Sequence, residues 1–413
     1  MAASGLLDLE DARRLVLGAV QPLPAEPVEL GDALDRVLGE QVSAAESVPA
    51  FDSSAMDGFA VRADDVASAG KRSPVALSVV DESRAGAPAL ATLGAGQAIA
   101  ISTGAMIPAG ADAIVPVEDT RGYDMRVEVL SAAAPGVHVR HAGDDMRAGQ
   151  TVLGSGVRIE AAEVGVLASL GVTGVRCVRR PRLSLLVSGD ELLAPGEPPR
   201  PGAIRDSNSL TLAALARGDG AHVTSARTVP DEAETTAAAL AAAAADADVM
   251  VISGGVSVGA HDHVRPSLEA LGAEPVFWGL ALKPGRPTWF GTLGSTLVFG
   301  LPGNPVSAMV TYLLLVRPAL RALLGMDLEP HRATAVMACD YEKPAGRAHA
   351  VRCRLSVRED GWHAQPTGAQ GSHVLSSMLG ADALAIIPTD AVAVRAGERV
   401  LIEPLQPWAG ALA

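Results

Sequence analysis

Residues 249–259 read VMVISGGVSVG, and this stretch decides the fold class. Four apolar residues in a row, without alternation, predict a short β-strand that is buried on both faces. The glycine-rich run that follows predicts a loop at the carboxyl end of that strand. Residues 183–187 (LSLLV), followed by Ser-Gly-Asp-Glu, repeat this plan of a buried strand and a polar loop. Two such units indicate a parallel sheet.

Segments with helical character separate these strands. The Asp-Ser-Asn segment at 206–208 offers N-cap side chains for a helix over 210–217. Residues 230–232 (PDE) open an alanine-rich helix with an acidic first turn, which suits the helix dipole. A further strand at 297–299 leads into a long helix. Strands that alternate with helices from 182 to 325 predict a doubly wound α/β domain with a parallel sheet and right-handed crossovers.

The chain on either side of this unit has a different pattern. Residues 51–145 are rich in glycine and valine and short in period, which predicts a small β-rich domain. From about residue 328 to the end, short strands alternate with turns, and a hairpin is predicted over 351–365. The length of 413 residues fits several domains at ~150 residues each.

The composition excludes several classes of protein. Hydrophobic residues make up 48% and charged residues 19%, which is typical of a globular chain. The net charge of −14 argues against a nucleic-acid-binding protein, and an aromatic content of 3% argues against base stacking. Cys177, Cys339 and Cys353 have no CxxC spacing, so we expect small buried hydrophobes and not a disulfide framework or a zinc site.

No membrane association is expected. Asp8, Glu10 and Asp11 argue against a signal peptide at the N-terminus. The most apolar helical run, 308–316, ends at Arg317 and is too short to span a bilayer. We therefore predict a cytoplasmic protein.

Three loops with unusual residues are predicted at the carboxyl ends of the strands, where doubly wound sheets bind ligands. They are 188–191 (SGDE), 254–259 (GGVSVG) and 301–305 (LPGNP). Glycines let backbone N–H groups approach an anion closely, and the N-terminus of a following helix adds a favourable dipole. Three such loops at one edge predict a ligand site.

Charged groups of both signs accompany these loops. Asp190, Glu191 and Asp262 are hard oxygen ligands that suit Mg²⁺ held partly by a substrate phosphate. Asp190 or Asp262 alone could equally cap a helix or turn. Lys283 and Arg286 stand in LKPGRP, a stiff turn that suits an oxyanion; a solvated surface turn is the alternative. The sequence has no P-loop, no GxGxxG, no HExxH and no GxSxG motif.

Nine motifs occur in one order along the chain. They are 51–61 (FDSSAMDGFAV), 102–105 (STGA), 143–146 (GDDM), 188–192 (SGDEL), 204–209 (IRDSNS), 253–259 (SGGVSVG), 282–287 (LKPGRP), 301–308 (LPGNPVSA) and 370–373 (QGSH). With these motifs the chain resembles the molybdopterin molybdenumtransferase family (bacterial MoeA and the gephyrin E domain) along nearly its whole length. The ordered set is highly specific.

The resemblance implies a multidomain α/β subunit that forms a homodimer. It implies a doubly wound domain similar to molybdopterin adenylyltransferases, a β-rich insert, an N-terminal dimerisation domain and a small C-terminal β-barrel. The implied bounds are 1–49 with 146–181 for the dimerisation domain, 50–145 for the insert, 182–327 for the doubly wound molybdopterin-binding domain and 328–413 for the barrel.

The resemblance also implies an activity. Such enzymes insert molybdenum from molybdate into adenylylated molybdopterin (molybdopterin-AMP) and release AMP with Mg²⁺ in molybdenum cofactor biosynthesis. A molybdopterin adenylyltransferase is an expected transient partner. Two other hypotheses remain open: a non-catalytic scaffold on the same fold, and a nucleotide-hydrolysing or adenylylating relative that shares only the doubly wound domain.

The site residues follow from the family's motifs, position by position. The catalytic candidates are Asp57, Thr103, Asp144, Glu191, Asp262 and Lys283, and the metal candidates are Asp190, Glu191 and Asp262. The binding candidates are Ser188, Gly189, Asp190, Ser253, Gly254, Gly255, Ser257, Gly259, Arg286, Pro302, Gly303, Asn304, Pro305, Arg352 and Ser372. Lys283, Arg286, Arg352 and Ser372 would line a molybdate pocket. Asp57, Thr103 and Asp144 would reach the cleft of the partner subunit.

This chain departs from the family pattern at three places. Gly279 stands where many members carry a lysine, so one cation near the anion site is missing. Ser188 replaces a threonine and retains the hydroxyl. Residues 347–350 (RAHA) lack the acidic and aromatic residues that are common there.

Overall fold

The computed structural model describes residues 5–122, 124–255, 263–326 and 333–406. Helix α1 (Leu9–Gly18) comes first, and Asp8 caps it by accepting a hydrogen bond from the Glu10 backbone N–H at 2.9 Å. The apolar stripe of α1 joins the largest hydrophobic core, which belongs mainly to the central domain. The first helix therefore packs against a domain that follows it by more than 150 residues in the chain.

The insert is built on a mixed β-sheet. The main elements from residue 25 to 181 are strand β1 (Ala25–Glu29), strand β2 (Gly58–Val61), helix α2 (Ala63–Val66), strands β3 (Val75–Ser83), β4 (Gln97–Ile101), β5 (Ala113–Pro116) and β6 (Arg126–Val129), helix α3 (Ala161–Ser169) and strand β7 (Gly174–Val178). The insert sheet has the order β5-β2-β4-β3-β6, with the short strand Thr120–Arg121 at its edge. Strand β1 pairs with β7, so the chain leaves and re-enters one small sheet on either side of the insert.

The central domain holds the predicted doubly wound sheet. Its main elements are strand β8 (Arg182–Ser188), helix α4 (Asn208–Gly218), strand β9 (His222–Val229), helix α5 (Ala233–Ala244), strand β10 (Val249–Ser253), helix α6 (Val264–Ala270), strands β11 (Glu274–Trp278), β12 (Trp289–Leu293) and β13 (Thr296–Leu301), and helix α7 (Pro305–Leu323). The sheet order is β9-β8-β10-β13-β12-β11. The first four strands are parallel, as predicted. Strand β12 runs antiparallel to them, because a tight turn joins it directly to β13. The edge strand β11 pairs antiparallel with β12 and so runs in the same direction as the first four.

Helix α7 corrects the prediction that the apolar helix ends at Arg317 and is too short to span a bilayer. The helix continues through Arg317 to Leu323. The Arg317 Nε donates to both carboxylate oxygens of Asp219 at 2.9 and 3.0 Å, so its charge is paired within the protein. By length and apolar composition α7 is long enough to cross a membrane, but 83% of its apolar stretch is buried inside the protein. This helix forms the centre of the largest core.

A π-helical turn at Tyr312–Val316 interrupts α7. The wider turn changes the helical hydrogen-bond ladder, and the Leu314 carbonyl accepts a hydrogen bond from the Arg13 Nε at 2.9 Å. The same guanidinium pairs with Glu403 at 2.5 Å. One buried arginine of α1 thereby links the central domain to the C-terminal strands.

The C-terminal domain is a closed five-stranded barrel. Its strands are β14 (Ala333–Met337), β15 (Ala348–Arg358), β16 (Gly361–Pro366), β17 (Ala383–Ile387) and β18 (Arg399–Pro404). The order is β15-β16-β14-β18-β17, and β17 pairs with β15 to close the sheet. The predicted hairpin is the antiparallel pair of β15 and β16. A short strand, Leu282–Lys283, extends β15 in parallel and joins the central domain to the barrel.

Asp248 makes the stability of the central sheet dependent on pH. Partial burial raises the pKa of its carboxyl group, but hydrogen bonds from the Arg179 guanidinium (2.6 and 2.7 Å) and the Arg182 backbone N–H outweigh this effect, so the pKa lies below its ordinary value. A depressed pKa in the folded state stabilises the fold above the unfolded pKa of about 3.9. This contribution is lost as the pH falls through the folded value.

We therefore expect Asp248→Asn to lower the free energy of unfolding at pH 7 and to lose less further stability than the wild type below about pH 4. Urea unfolding at a series of pH values measures both effects. Asp246→Asn is the control, because the Asp246 side chain is largely exposed. Parallel stability curves for the wild type and Asp248→Asn would contradict the prediction.

Candidate functional site

The carboxyl ends of β8, β10 and β13 lie side by side. Val187 pairs with Ser253, and Ser253 pairs with Leu301, so the three strands end at nearly the same level. The loops that follow them therefore start at one edge of the sheet, as the sequence predicted. The loop after β10 is described as far as Gly255; the predicted site residues Ser257, Gly259 and Asp262 lie outside the described residues.

The glycines of these loops permit close contact between backbones. Gly254 has a φ of +88°, and a Cβ there would lie 2.5 Å from the Ser188 carbonyl oxygen. At Gly303 a Cβ would lie 3.7 Å from the Gly254 Cα. The Gly254 N–H donates to the Leu301 carbonyl at 3.1 Å. The loops after β8, β10 and β13 are therefore in mutual contact.

Asn208 joins two of these loops. Its Nδ2 donates to the Ser253 Oγ and to the Gly303 carbonyl, both at 2.8 Å, and the Ser253 Oγ donates to the Pro302 carbonyl at 3.1 Å. The Asp-Ser-Asn segment predicts only a helix-capping role for Asn208. The structure gives that role to Asp206, which accepts a backbone N–H from the first turn of α4. Asn208 belongs to the motif IRDSNS, which is the sequence feature that could have indicated its role between the loops.

Carboxylates gather at the ends of β8 and β9. Asp190 and Glu191 are exposed, and the Asp190 Oδ1 accepts the backbone N–H of Asp231 at 3.1 Å. The Asp231 carboxylate accepts a short hydrogen bond from the Ser188 hydroxyl. The sequence pattern around Asp231 predicts only the acidic first turn of a helix. Its proximity to the site follows from the pairing of β9 with β8.

This set of donors fits a hard divalent cation. Mg²⁺ in proteins is usually held by one or two carboxylates together with water and substrate phosphates. Within the described ranges no group of three or more His, Cys, Asp or Glu side chains is placed to hold a metal ion. Asp190 and Glu191 are thus two exposed carboxylates at this edge, fewer than a metal site built from protein side chains alone would need.

Lys283 and Arg286 are exposed on the turn between β11 and β12. Lys283 lies opposite His349 in the parallel pair with β15. The turn packs tightly on α7, because a Cβ at Gly285 would lie 2.6 Å from the Thr311 Cγ2. The two cations therefore stand on a fixed turn at the junction of the central domain and the barrel.

Arg352 and Ser372 lie on the barrel side of this junction. Arg352 is buried, and its guanidinium donates to the Ser377 Oγ at 3.2 Å and to two carbonyls of the 369–371 loop at 3.2 and 3.4 Å. Burial lowers the pKa of Arg352 below its ordinary value. The Ser372 carbonyl accepts the Val306 N–H at 3.2 Å, so this loop contacts the start of α7.

Asp57, Thr103 and Asp144 are exposed residues of the insert region. The Asp57 Oδ1 accepts the Thr103 N–H at 2.7 Å, and the Asp144 Oδ2 accepts the His141 N–H at 2.7 Å. In the described part of the chain, the hydrogen bonds of these three residues stay within the insert region. The structure thus brings Asp57 and Thr103 together, apart from the loops of the central sheet.

Three family profiles match consecutive parts of the chain. "MoeA N-terminal region (domain I and II)" matches residues 7–171, "Probable molybdopterin binding domain" matches 184–322 and "MoeA C-terminal region (domain IV)" matches 334–405. Molybdopterin molybdenumtransferase 2 of Mycobacterium tuberculosis (strain H37Rv) is 38% identical over 97% of this chain and 98% of that protein. This chain belongs to the MoeA family.

Other MoeA relatives agree with this assignment. Molybdopterin molybdenumtransferase of Haemophilus influenzae is 35% identical over 98% of this chain and 100% of that protein. The crystal structure of a molybdopterin biosynthesis MoeA protein from Pyrococcus horikoshii has a TM-score of 0.83 and 30% identity, and the match covers 98% of this chain and 100% of that one. The predicted family and fold class are confirmed.

The departure from the MoeA pattern at Gly279 has a structural consequence. Gly279 has a φ of +87°, and a Cβ there would lie 3.0 Å from the Leu6 Cδ2. We expect Gly279→Lys to lose about 1–2 kcal/mol of unfolding free energy, because an L residue is strained at this φ. Denaturant unfolding measures the loss.

Gly279→Ala is the matched control for this prediction, since it has the same backbone cost without the charge. We expect similar losses of stability in both variants, and any difference in molybdate affinity between them reports the added cation. Unchanged stability in both variants would contradict the argument from φ.

Proposed function

We propose that this MoeA-family protein is a molybdopterin molybdenumtransferase. It inserts molybdenum from molybdate into adenylylated molybdopterin and releases AMP, with Mg²⁺, in the cytoplasm. The observation that carries this proposal is the family match along nearly the whole chain. The match includes the loop with Asp190 and Glu191, called the carboxylate side, and the turn with Lys283 and Arg286, called the cation side. The proposal includes four domains with the bounds 1–49 with 146–181, 50–145, 182–327 and 328–413.

The cation side suits molybdate. Molybdate is a tetrahedral dianion, and Lys283 and Arg286 are cations on one turn at the domain junction. Arg352 and the Ser372 hydroxyl would approach it from the barrel side, with Arg352 on the face of β15 opposite to His349, the strand partner of Lys283. The hydrogen bonds of the Arg352 guanidinium go to a hydroxyl and to carbonyls, which leave its positive charge in place. Preorganised charges of this kind stabilise anionic reactants without reorganisation during the reaction.

The carboxylate side suits the phosphates of the other substrate. Asp190, Glu191 and Asp262 would hold Mg²⁺, which neutralises phosphate charge when bound. The loops with Ser188 and Gly189, Ser253 to Gly259, and Pro302 to Pro305 would form the walls of the pterin and nucleotide pocket. Their glycines leave backbone N–H groups accessible to anionic oxygens. Two Mo–S bonds to the dithiolene thiols form as one molybdate oxygen leaves with the thiol protons as water. Cleavage of the phosphoanhydride by water releases AMP.

The site is completed by a second subunit in this proposal. Asp57, Thr103 and Asp144 are exposed on the insert region, and they would act in the cleft of the partner subunit of a homodimer. A heterodimer of an Asp57→Asn subunit and a Lys283→Met subunit is therefore expected to keep one intact site of two, or about half of the wild-type rate. Two affinity tags allow its purification.

The two homodimeric variants are the controls, and both are expected to be nearly inactive. If Asp57 and Lys283 of the same subunit served one site, the heterodimer would contain no intact site. An inactive heterodimer that is correctly folded would therefore contradict the shared site.

One reconstitution tests the function. The purified protein is combined with adenylylated molybdopterin, Mg²⁺ and molybdate, and AMP release is followed together with activation of a cofactor-free molybdoenzyme. The proposal requires both signals, and both must depend on molybdate. A folded protein that gives neither signal supports the scaffold hypothesis. Formation of adenylylated molybdopterin from free molybdopterin and ATP supports the adenylylating relative. Addition of a molybdopterin adenylyltransferase tests transfer of the intermediate from that transient partner.

A further inference from the structure

His349 lies beside Lys283 at the junction of the central domain and the barrel. The two residues are paired across the parallel strands, and His349 is 4% exposed. Paired residues of neighbouring strands project from the same face of a sheet, whereas residues three positions apart on one strand project from opposite faces. The His349 ring therefore accompanies the stem of Lys283 and not that of Arg352.

The surroundings of His349 are rich in positive charge. Its Nδ1 lies 3.0 Å from the Tyr341 hydroxyl, and the two rings meet edge to face with centroids 5.9 Å apart. Burial and the positive charges of Lys283, Lys343 and Arg347 lower the pKa of His349 to about 4. The ring is therefore neutral near pH 7.

Lys343 is one of these cations, and its hydrogen bonds do not neutralise its charge. It is buried, and its Nζ donates to three backbone carbonyls, of which the Arg347 carbonyl is nearest at 2.9 Å. Asp390 is the carboxylate that acts on Lys343, and burial nevertheless lowers the pKa of Lys343 below its ordinary value. No carboxylate contributes to the shift of the His349 pKa in the described chain.

We propose that His349 is a positioning residue for Lys283 and holds the lysine stem without neutralising its ammonium group. A carboxylate at this position would form an ion pair with Lys283 and weaken its attraction for an oxyanion. A protonated imidazole would repel the ammonium group. A neutral ring that is hydrogen-bonded to Tyr341 does neither. This inference rests on the proposed function and deepens it, because it explains how Lys283 keeps its charge for molybdate.

The variants His349→Glu and His349→Gln test the inference, since they are similar in size and differ by one charge. Calorimetric titration of the full-length protein with molybdate, and separately with tungstate, measures the affinity. We expect the dissociation constant to rise about tenfold for the Glu variant and to stay within about twofold for the Gln variant, as one added ion pair predicts. In the enzyme assay the KM for molybdate should rise in the same proportion, with kcat nearly unchanged.

A double-mutant cycle shows whether the effect acts through Lys283. In the Lys283→Met background, His349→Glu and His349→Gln should bind molybdate equally. Equal affinities of the two variants in the wild-type background would overturn the inference. So would a full tenfold difference that persists without Lys283.

A spectroscopic measurement serves if His349→Glu does not fold. The ¹⁵N imidazole signals of the wild type, assigned with His349→Gln, should show a neutral His349 from about pH 5.5 to 8. Titration of that signal within this range would overturn the inference.

If the wild type releases AMP with molybdate while the Glu and Gln variants bind it equally, the inference fails and the proposed function stands. If the wild type neither binds molybdate nor releases AMP, both fail.

Discussion

Replacing Gly254 by alanine is expected to abolish molybdate-dependent AMP release and to lower the free energy of unfolding by about 2–4 kcal/mol. The φ of +88° is strained for any L residue, and the added Cβ would lie 2.5 Å from the Ser188 carbonyl oxygen. This contact is between backbones, so it is relieved only if the end of β8 and the loop after β10 move apart. Urea unfolding and the AMP assay measure the two effects.

Gly272→Ala is the matched control. Gly272 has the same φ of +88°, but a Cβ there would have no neighbour within 4 Å. We expect it to lose only the backbone contribution of about 1–2 kcal/mol and to keep the wild-type rate. Equal losses of stability and of activity in the two variants would show that contact between the loops is not the reason for a glycine at 254.

Replacing Asp219 by alanine is expected to lower the free energy of unfolding by about 3–5 kcal/mol. The Asp219 carboxylate is 4% exposed and accepts hydrogen bonds from the Tyr312 hydroxyl at 3.0 Å and from the Arg317 Nε. Its removal leaves the charge of Arg317 buried, with the Leu405 carbonyl as a remaining acceptor. Denaturant unfolding measures the loss.

Glu269→Ala removes an ion pair of similar length from the surface. The Arg265–Glu269 pair measures 3.0 Å, and both side chains are 48% exposed, so we expect a change below about 0.5 kcal/mol. The pKa of Tyr312 gives a second test of the role of Asp219. Burial raises this pKa most, and the negative charge of Asp219 raises it further, so Asp219→Ala should lower it. Similar effects of the two variants on stability would contradict the role of burial.

The sequence predicted the central strands because their burial leaves a direct pattern. β10 has four apolar residues in a row, and in β8 only Ser184 interrupts the apolar stretch 183–187; a strand covered on both faces needs such a stretch. The glycine-rich loops after these strands were also predicted from the sequence, because a backbone that packs closely on another backbone leaves no room for a Cβ. The end of α7 was predicted wrongly at Arg317, because the partner that allows its burial, Asp219, is 98 residues away in the chain.

Sequence alone determined the family, the alternation of strands and helices in the central domain, and the loops that carry the charged residues, since each depends on residues close together in the chain. Only the tertiary structure decided that Asp231 meets Ser188, that Asn208 joins two loops and that His349 lies beside Lys283. These contacts join strands and loops that are distant in sequence. Their geometry depends on strand order and register, which local residue patterns do not specify.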